Sequence, residues 1–187
     1  KPRYLKPDEI KRLYKALDER EENRRVDRDS HNEWLRKRHS PEMLDLRTVS
    51  FTDFLKPMVL LALNTGMRRG ELFNLKWSDC DLDSASPVLT VRGDGAKSGR
   101  TRHIPLNEKA QDVLLKWREQ TGSEGLVFVS PKTGGRFDNI TKSWKSLMRD
   151  AKLENFRFHD TRHHFASMLV QKGVDLNVVR ELLGHAD

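Results

Sequence analysis

Phe158-His159-Asp160-Thr161-Arg162-His163-His164-Phe165 is the stretch around which the rest of the chain makes sense. On a helix, His159 and Arg162 stand three residues apart and share one face. That face would pair a titratable imidazole with a permanent cation carrying forked donors, a combination suited to a phosphate whose charge changes during reaction. The plainer alternative is a basic helix whose polar residues simply face water. Three other segments decide between them: Thr65-Gly66-Met67-Arg68-Arg69-Gly70-Glu71-Leu72, Lys97 within Gly93-Asp94-Gly95-Ala96-Lys97-Ser98-Gly99, and Leu183-Gly184-His185.

The bulk composition narrows the partner before any motif is used. The chain has 187 residues, enough for one full core, and 34% of them are charged, with a net charge of +7. A pI near 9.6 points to a polyanion, nucleic acid before an anionic membrane. The single Cys80 excludes an internal disulfide and any cysteine-based zinc cluster, and a reducing cytoplasm is expected. No apolar run is long enough to span a bilayer, and the first residues lack the apolar core of a signal peptide. The missing initiator methionine suggests a piece of something longer.

Taken in order, Leu13, Tyr14 and Leu17 mark one apolar face of an entry helix with Pro7 and Asp8 in its first turn. Residues 18–50 are dominated by charges of both signs and read as a long helix tail followed by a solvated insertion without chemistry. An apolar segment from Phe54 to Leu63 predicts a buried helix starting near Asp53, broken at Asn64-Thr65-Gly66. A second helix is expected over Arg68 to Trp77, where Glu71, at i+3, braces Arg68. Val88 to Val91 and Thr101 to Ile104 read as a hairpin with a long glycine-rich loop, and Val127-Phe128-Val129 as the third strand of a small antiparallel sheet. Helices follow near Ala110 to Trp117, Ile140 to Ala151, Thr161 to Gln171 and Asp175 to Leu183, with Gly173 and Gly184 as stops and Asp175 as an N-cap. The pattern is mainly α with a three-stranded antiparallel sheet, in a single domain.

Two alternative chemistries fit poorly. A phosphate-binding loop around Lys97-Ser98 has Ala96 where glycine is needed, and it leads into a strand instead of a helix N-terminus. His159 and His163 at i and i+4 approach a zinc-protease pattern. Asp160, however, is shorter than the glutamate that chemistry uses, and Arg162 would place a cation within a turn of the metal. No metal is expected.

Together, Thr65-Gly66-x-Arg68-x-x-Glu71-Leu72, Lys97 before Ile104-Pro105-Leu106, His159-x-x-Arg162-His163 and Leu183-Gly184-His185 resemble the catalytic domain of the tyrosine recombinases, the phage integrase family, in its order and spacing. The resemblance covers the chain apart from the insertion at 18–50. It implies the DNA breaking-rejoining fold and site-specific cutting and rejoining of double-stranded DNA through a 3′-phosphotyrosyl intermediate, by a protein that forms a tetramer on DNA. By the same resemblance, Arg68 and Arg162 hold the scissile phosphate, Lys97 protonates the departing 5′ oxygen, His159 serves as acid or base, and His185 hydrogen-bonds the phosphate. Glu71 and His163 support them. No cofactor is implied, because the phosphodiester energy is kept in the covalent bond.

The chain departs from the family pattern in one respect: the nucleophilic tyrosine belongs a short way beyond the last histidine, and the sequence stops at Asp187. Its only tyrosines, Tyr4 and Tyr14, match nothing in the motif. The nucleophile is therefore expected beyond Asp187, the family's amino-terminal DNA-binding domain before Lys1, and the piece itself is expected to bind DNA without cutting it. The alternative from a different class is a DNA-binding module that keeps the cleft without the chemistry.

Overall fold

The computed structural model describes residues 3–93 and 101–184. Lys97 and His185 lie outside the described residues.

Helix α1 (Pro7–Arg36) begins with proline in its first turn and Asp8 and Glu9 against its positive end. Its first half buries Glu9, Leu13, Ala16, Leu17 and Glu21, whereas its second half buries only Asn32. The expected insertion is ordered against that second half by polar clasps. Arg28 donates to the Leu44 carbonyl at 2.8 Å, Asn32 exchanges two bonds with the Met43 backbone at 2.8 and 2.9 Å, and Arg25 reaches the Leu46 carbonyl at 3.2 Å.

Helix α2 (Leu55–Thr65) is apolar apart from Lys56, which pairs with Asp18, and its Asn64-Thr65 end, and it accordingly sits in the middle of the core, with Leu55, Met58, Val59, Leu61 and Ala62 fully buried. It ends at Gly66, whose φ of 62° is left-handed. A side chain there would meet Phe165 at 2.5 Å and Leu183 at 2.8 Å, so glycine lets the end of α2 touch two later helices.

Helix α3 (Arg69–Asn74) stops before the expected Trp77. The backbone groups of the next residues are claimed elsewhere: Val127 N–H donates to the Leu75 carbonyl at 2.8 Å, and Trp77 N–H to the Gly125 carbonyl at 3.0 Å. This exchange also removes the expected third strand. Val127 and Phe128 are buried core residues joined to the α3 exit, with one isolated bridge, Lys76 to Leu126.

The third strand lies earlier. Strands β1 (Cys80–Asp81), β2 (Val88–Val91) and β3 (Arg102–Pro105) form an antiparallel sheet in that order, with Leu89 opposite both Cys80 and Ile104 and Val91 opposite Arg102. Alternation sends Arg102 inward on the same face as Ile104.

The remaining helices are α4 (Glu108–Thr121), α5 (Thr141–Asp150), α6 (Asp160–Gln171) and α7 (Leu176–Leu183). Asn107 caps α4 by accepting from Ala110 N–H, and Asp175 caps α7 by accepting from Asn177 N–H. Gly184, at φ 64°, closes α7. Most buried apolar side chains form one cluster around α2, and Phe165, Val179 and Leu183 form a smaller one where α6 meets α7. No helix among the described residues is long and apolar enough to cross a membrane.

Candidate active site

Three arginines from three distant segments converge on the C-terminal end of α7. Arg102 donates through Nε to the Leu182 carbonyl at 2.9 Å, Arg162 donates to the Leu183 carbonyl, and Arg68 donates to the Gly184 carbonyl at 3.1 Å. The last carbonyls of a helix lack intrahelical partners and carry the negative end of its dipole, so cations there are favourable twice over. Arg68 and Arg162 grip adjacent peptide units and are thereby held side by side.

Glu71 offsets this positive charge. Its carboxylate accepts Arg68 Nη1 at 2.9 Å and Arg68 N–H at 2.7 Å, and it takes both terminal nitrogens of Arg102, at 3.0 and 2.7 Å. Burial alone would push the Glu71 carboxyl up. The Arg102 fork and the Arg68 bonds outweigh it and hold the group below the usual carboxylate range.

Arg162 is 3% exposed, which excludes the solvated helix face. Its Nη1 donates to the Gly66 carbonyl at 3.0 Å, which places it against the turn preceding Arg68. Burial first, then the neighbouring Arg68, push its guanidinium down to about 10, with Glu71 opposing; it remains a cation at neutral pH.

His159 is exposed at the start of α6, its ring edge-on to His163 with 5.3 Å between centroids. Partial burial, then His163 and Arg162, push its pKa down, so the ring is neutral and able to accept a proton near pH 7. Asp160 does not act as a ligand or base: it is 1% exposed, and its carboxylate accepts Arg157 N–H, Nε and Nη2 at 2.8, 3.1 and 2.9 Å. Among the described residues no cluster of three or more His, Cys, Asp or Glu forms a cation site.

Neither described tyrosine nor the cysteine is placed for attack. Tyr14 lies beneath Lys109, and burial pushes its hydroxyl up, the wrong direction for a nucleophile. Tyr4 is 52% exposed, and burial pushes the Cys80 thiol up to about 12.

His164 has a different environment. It is 4% exposed, its Nδ1 is buried without a hydrogen-bond partner, and it borders a groove with Tyr14, Asn64 and Phe165. Burial pushes its pKa down, so the unfolded chain binds more protons than the folded one at mildly acidic pH. Its contribution to stability is full above the unfolded value, near 6.5, and is lost as pH falls through the folded value. Melting curves between pH 7 and pH 5 should fall for the parent chain and flatten for His164→Phe. Parallel curves would remove His164 as the cause.

The sequence motifs brought Arg68, Glu71, His159, His163 and Arg162 to this site, and the structure places Arg68, Glu71 and Arg162 in one network. They missed Arg102. The signal available was its inward position, two residues before Ile104 in a strand, where an arginine needs a buried carboxylate.

The structure is thus a helical domain with a small sheet that presents paired, braced arginines. The chain belongs to the phage integrase family, whose model matches residues 3–187. It is 34% identical over 165 residues to the integrase of Salmonella phage P22, covering 81% of this chain and 40% of that protein. It is also 34% identical over 139 residues to the tyrosine recombinase XerC of Xanthomonas campestris pv. campestris strain B100, covering 71% of this chain and 42% of that protein. The crystal structure of XerA recombinase superposes with a TM-score of 0.70 at 26% identity, over all of this chain and 57% of that one. The chain thus spans less than half the length of the two relatives it matches in sequence.

Proposed function

We propose that this chain is the phosphate-handling part of a site-specific DNA recombinase that cuts and rejoins duplex DNA through a tyrosine located beyond Asp187. The observation that carries this is the convergence of Arg68 and Arg162 on the successive carbonyls of Leu183 and Gly184. Two adjacent guanidinium groups, one buried and both held in place before substrate arrives, are preorganised for the non-bridging oxygens of a phosphodiester and for the extra charge of its pentavalent transition state. Glu71 keeps Arg68 from collapsing into another pairing. His159, neutral and exposed, would take the proton of the attacking hydroxyl. Lys97 is assigned to the departing 5′ oxygen and His185 to the phosphate, with His163 beside His159. The partner is double-stranded DNA, consistent with a net charge of +7, and the working assembly is a tetramer on DNA.

Binding and chemistry separate in the test. The 187-residue chain should bind duplex DNA, with log K falling steeply against log salt, because each neutralised phosphate contributes a slope of about −0.9. A longer form carrying the tyrosine should leave a denaturant-resistant protein–DNA adduct on a nicked recombination site, mapping to that tyrosine. A flat salt plot would remove the DNA surface, and cutting without an adduct would remove the phosphotyrosyl route.

A further inference from the structure

Arg102 belongs to no motif that led to the site, yet it is the residue through which the site's parts meet. It begins β3, five positions after Lys97 in the sequence, and its guanidinium makes a forked pair with Glu71 while its Nε holds the Leu182 carbonyl. Gly184 packs directly on it: a side chain at that glycine would lie 3.0 Å from Arg102 Cδ and 3.2 Å from Nη1. Arg102 is 8% exposed, so water does not substitute for these contacts. We propose that Arg102 is a positioning residue for strand cleavage, locking strand β3, the Glu71 brace of Arg68 and the C-terminal end of α7 into one register. This rests on the recombinase reading of the site.

The geometry explains why an arginine is needed. A lysine offers one ammonium, which cannot bridge both carboxylate oxygens and a carbonyl on the far side of the fork. A neutral residue would leave Glu71 facing fewer cations. The charged groups around that carboxylate are Arg68 of its own segment, Arg102 of β3 and Arg162 of α6, with Lys76, Asp79 and Arg92 across a cavity of about 340 Å³. Without Arg102, the largest interaction opposing burial at Glu71 is lost, so its carboxyl titrates higher and protonation would loosen its hold on Arg68.

The test reads Glu71 and cleavage separately. In the ¹³C-glutamate-labelled chain, with the Glu71 resonance assigned through Glu71→Gln, Arg102→Met should raise the Glu71 titration midpoint by roughly one to three pH units. In the tyrosine-bearing form, Arg102→Met should move the acid limb of the single-turnover cleavage profile the same way. Arg102→Lys should restore that limb but not the parent rate. If Arg102→Met fails to fold, Arg102→Gln carries the same comparison without the charge. An unchanged Glu71 midpoint, or a rate loss that is equal at every pH and equal in the lysine variant, would overturn the positioning role. Arg68→Met serves as the reference. If it still cleaves at the parent rate, the recombinase reading fails. If it is inactive while Arg102→Met keeps the parent pH profile, only the inference about Arg102 fails.

Discussion

Arg162→Lys, in a tyrosine-bearing form of the protein, is expected to lower single-turnover cleavage by about 10²- to 10³-fold or more, the loss seen when one preorganised donor is removed from a charged transition state. The substitution keeps the positive charge, so the expectation rests on geometry. Arg162 donates from one terminal nitrogen to Gly66 and from the other to Leu183, and it is held between the α2 turn and the α7 end. An ammonium cannot span both carbonyls and still present a second donor to phosphate. DNA binding should change far less than cleavage, because ground-state affinity is spread over many phosphate contacts while transition-state charge is not. A lysine variant that cleaves within about tenfold of the parent would show that Arg162 is structural and that the phosphate sits elsewhere.

Which parts of this site were legible beforehand follows from where the information is carried. Arg68 with Glu71, and His159 with Arg162, stand at short, fixed spacings that the sequence shows directly, whereas the resemblance to the family implied that the two pairs share one site. The feature that aligns the arginines is a set of backbone carbonyls at residues 182–184, and every residue type has a carbonyl. Arg102 was obscured by its surroundings, Lys97-Ser98-Gly99-Arg100-Thr101-Arg102-His103, a run of cations in which nothing but strand phase singles out the buried one.

The fold shows the same division. The largely apolar α2 and the caps Asp175 and Gly184 were readable because each has a local cause. Leu75 and Trp77 continue the apolar pattern of α3, but their backbone groups bond to residues near 125–127, fifty positions away. Val127-Phe128-Val129 has the composition of a strand, but Val127 and Phe128 are packed into the core at a bend and Val129 is exposed, an ambiguity inherent in short apolar runs. The charged segment after α1 offered no apolar period, and its order comes from arginine and asparagine side chains meeting carbonyls.

Glu71→Ala is expected to be the most destabilising polar substitution in the site, by about 3–5 kcal/mol, the range for removing one partner of a buried ion pair. The number follows from exposure. The side chains of Glu71 and Arg102 are 7% and 8% exposed, so the alanine variant strands a buried guanidinium and leaves three cations mutually repelling at the end of α7. By contrast, the Arg47–Asp29 pair is 45% and 44% exposed, and breaking it should cost under about 1 kcal/mol. For a chain of this size the two losses correspond to a Tm decrease of roughly 6–20 °C against a few degrees at most. The pH dependence carries a second signature. The Glu71 pKa is held below its unfolded value, so its contribution is present above about pH 4.3 and disappears as pH falls through the folded value. Parent and Glu71→Gln should therefore differ in stability at pH 7 and converge toward pH 3. A constant gap across that range, or an alanine variant as stable as Arg47→Ala, would mean that the carboxylate does not hold the arginines, and that α7 is docked by its apolar contacts with Phe165 alone.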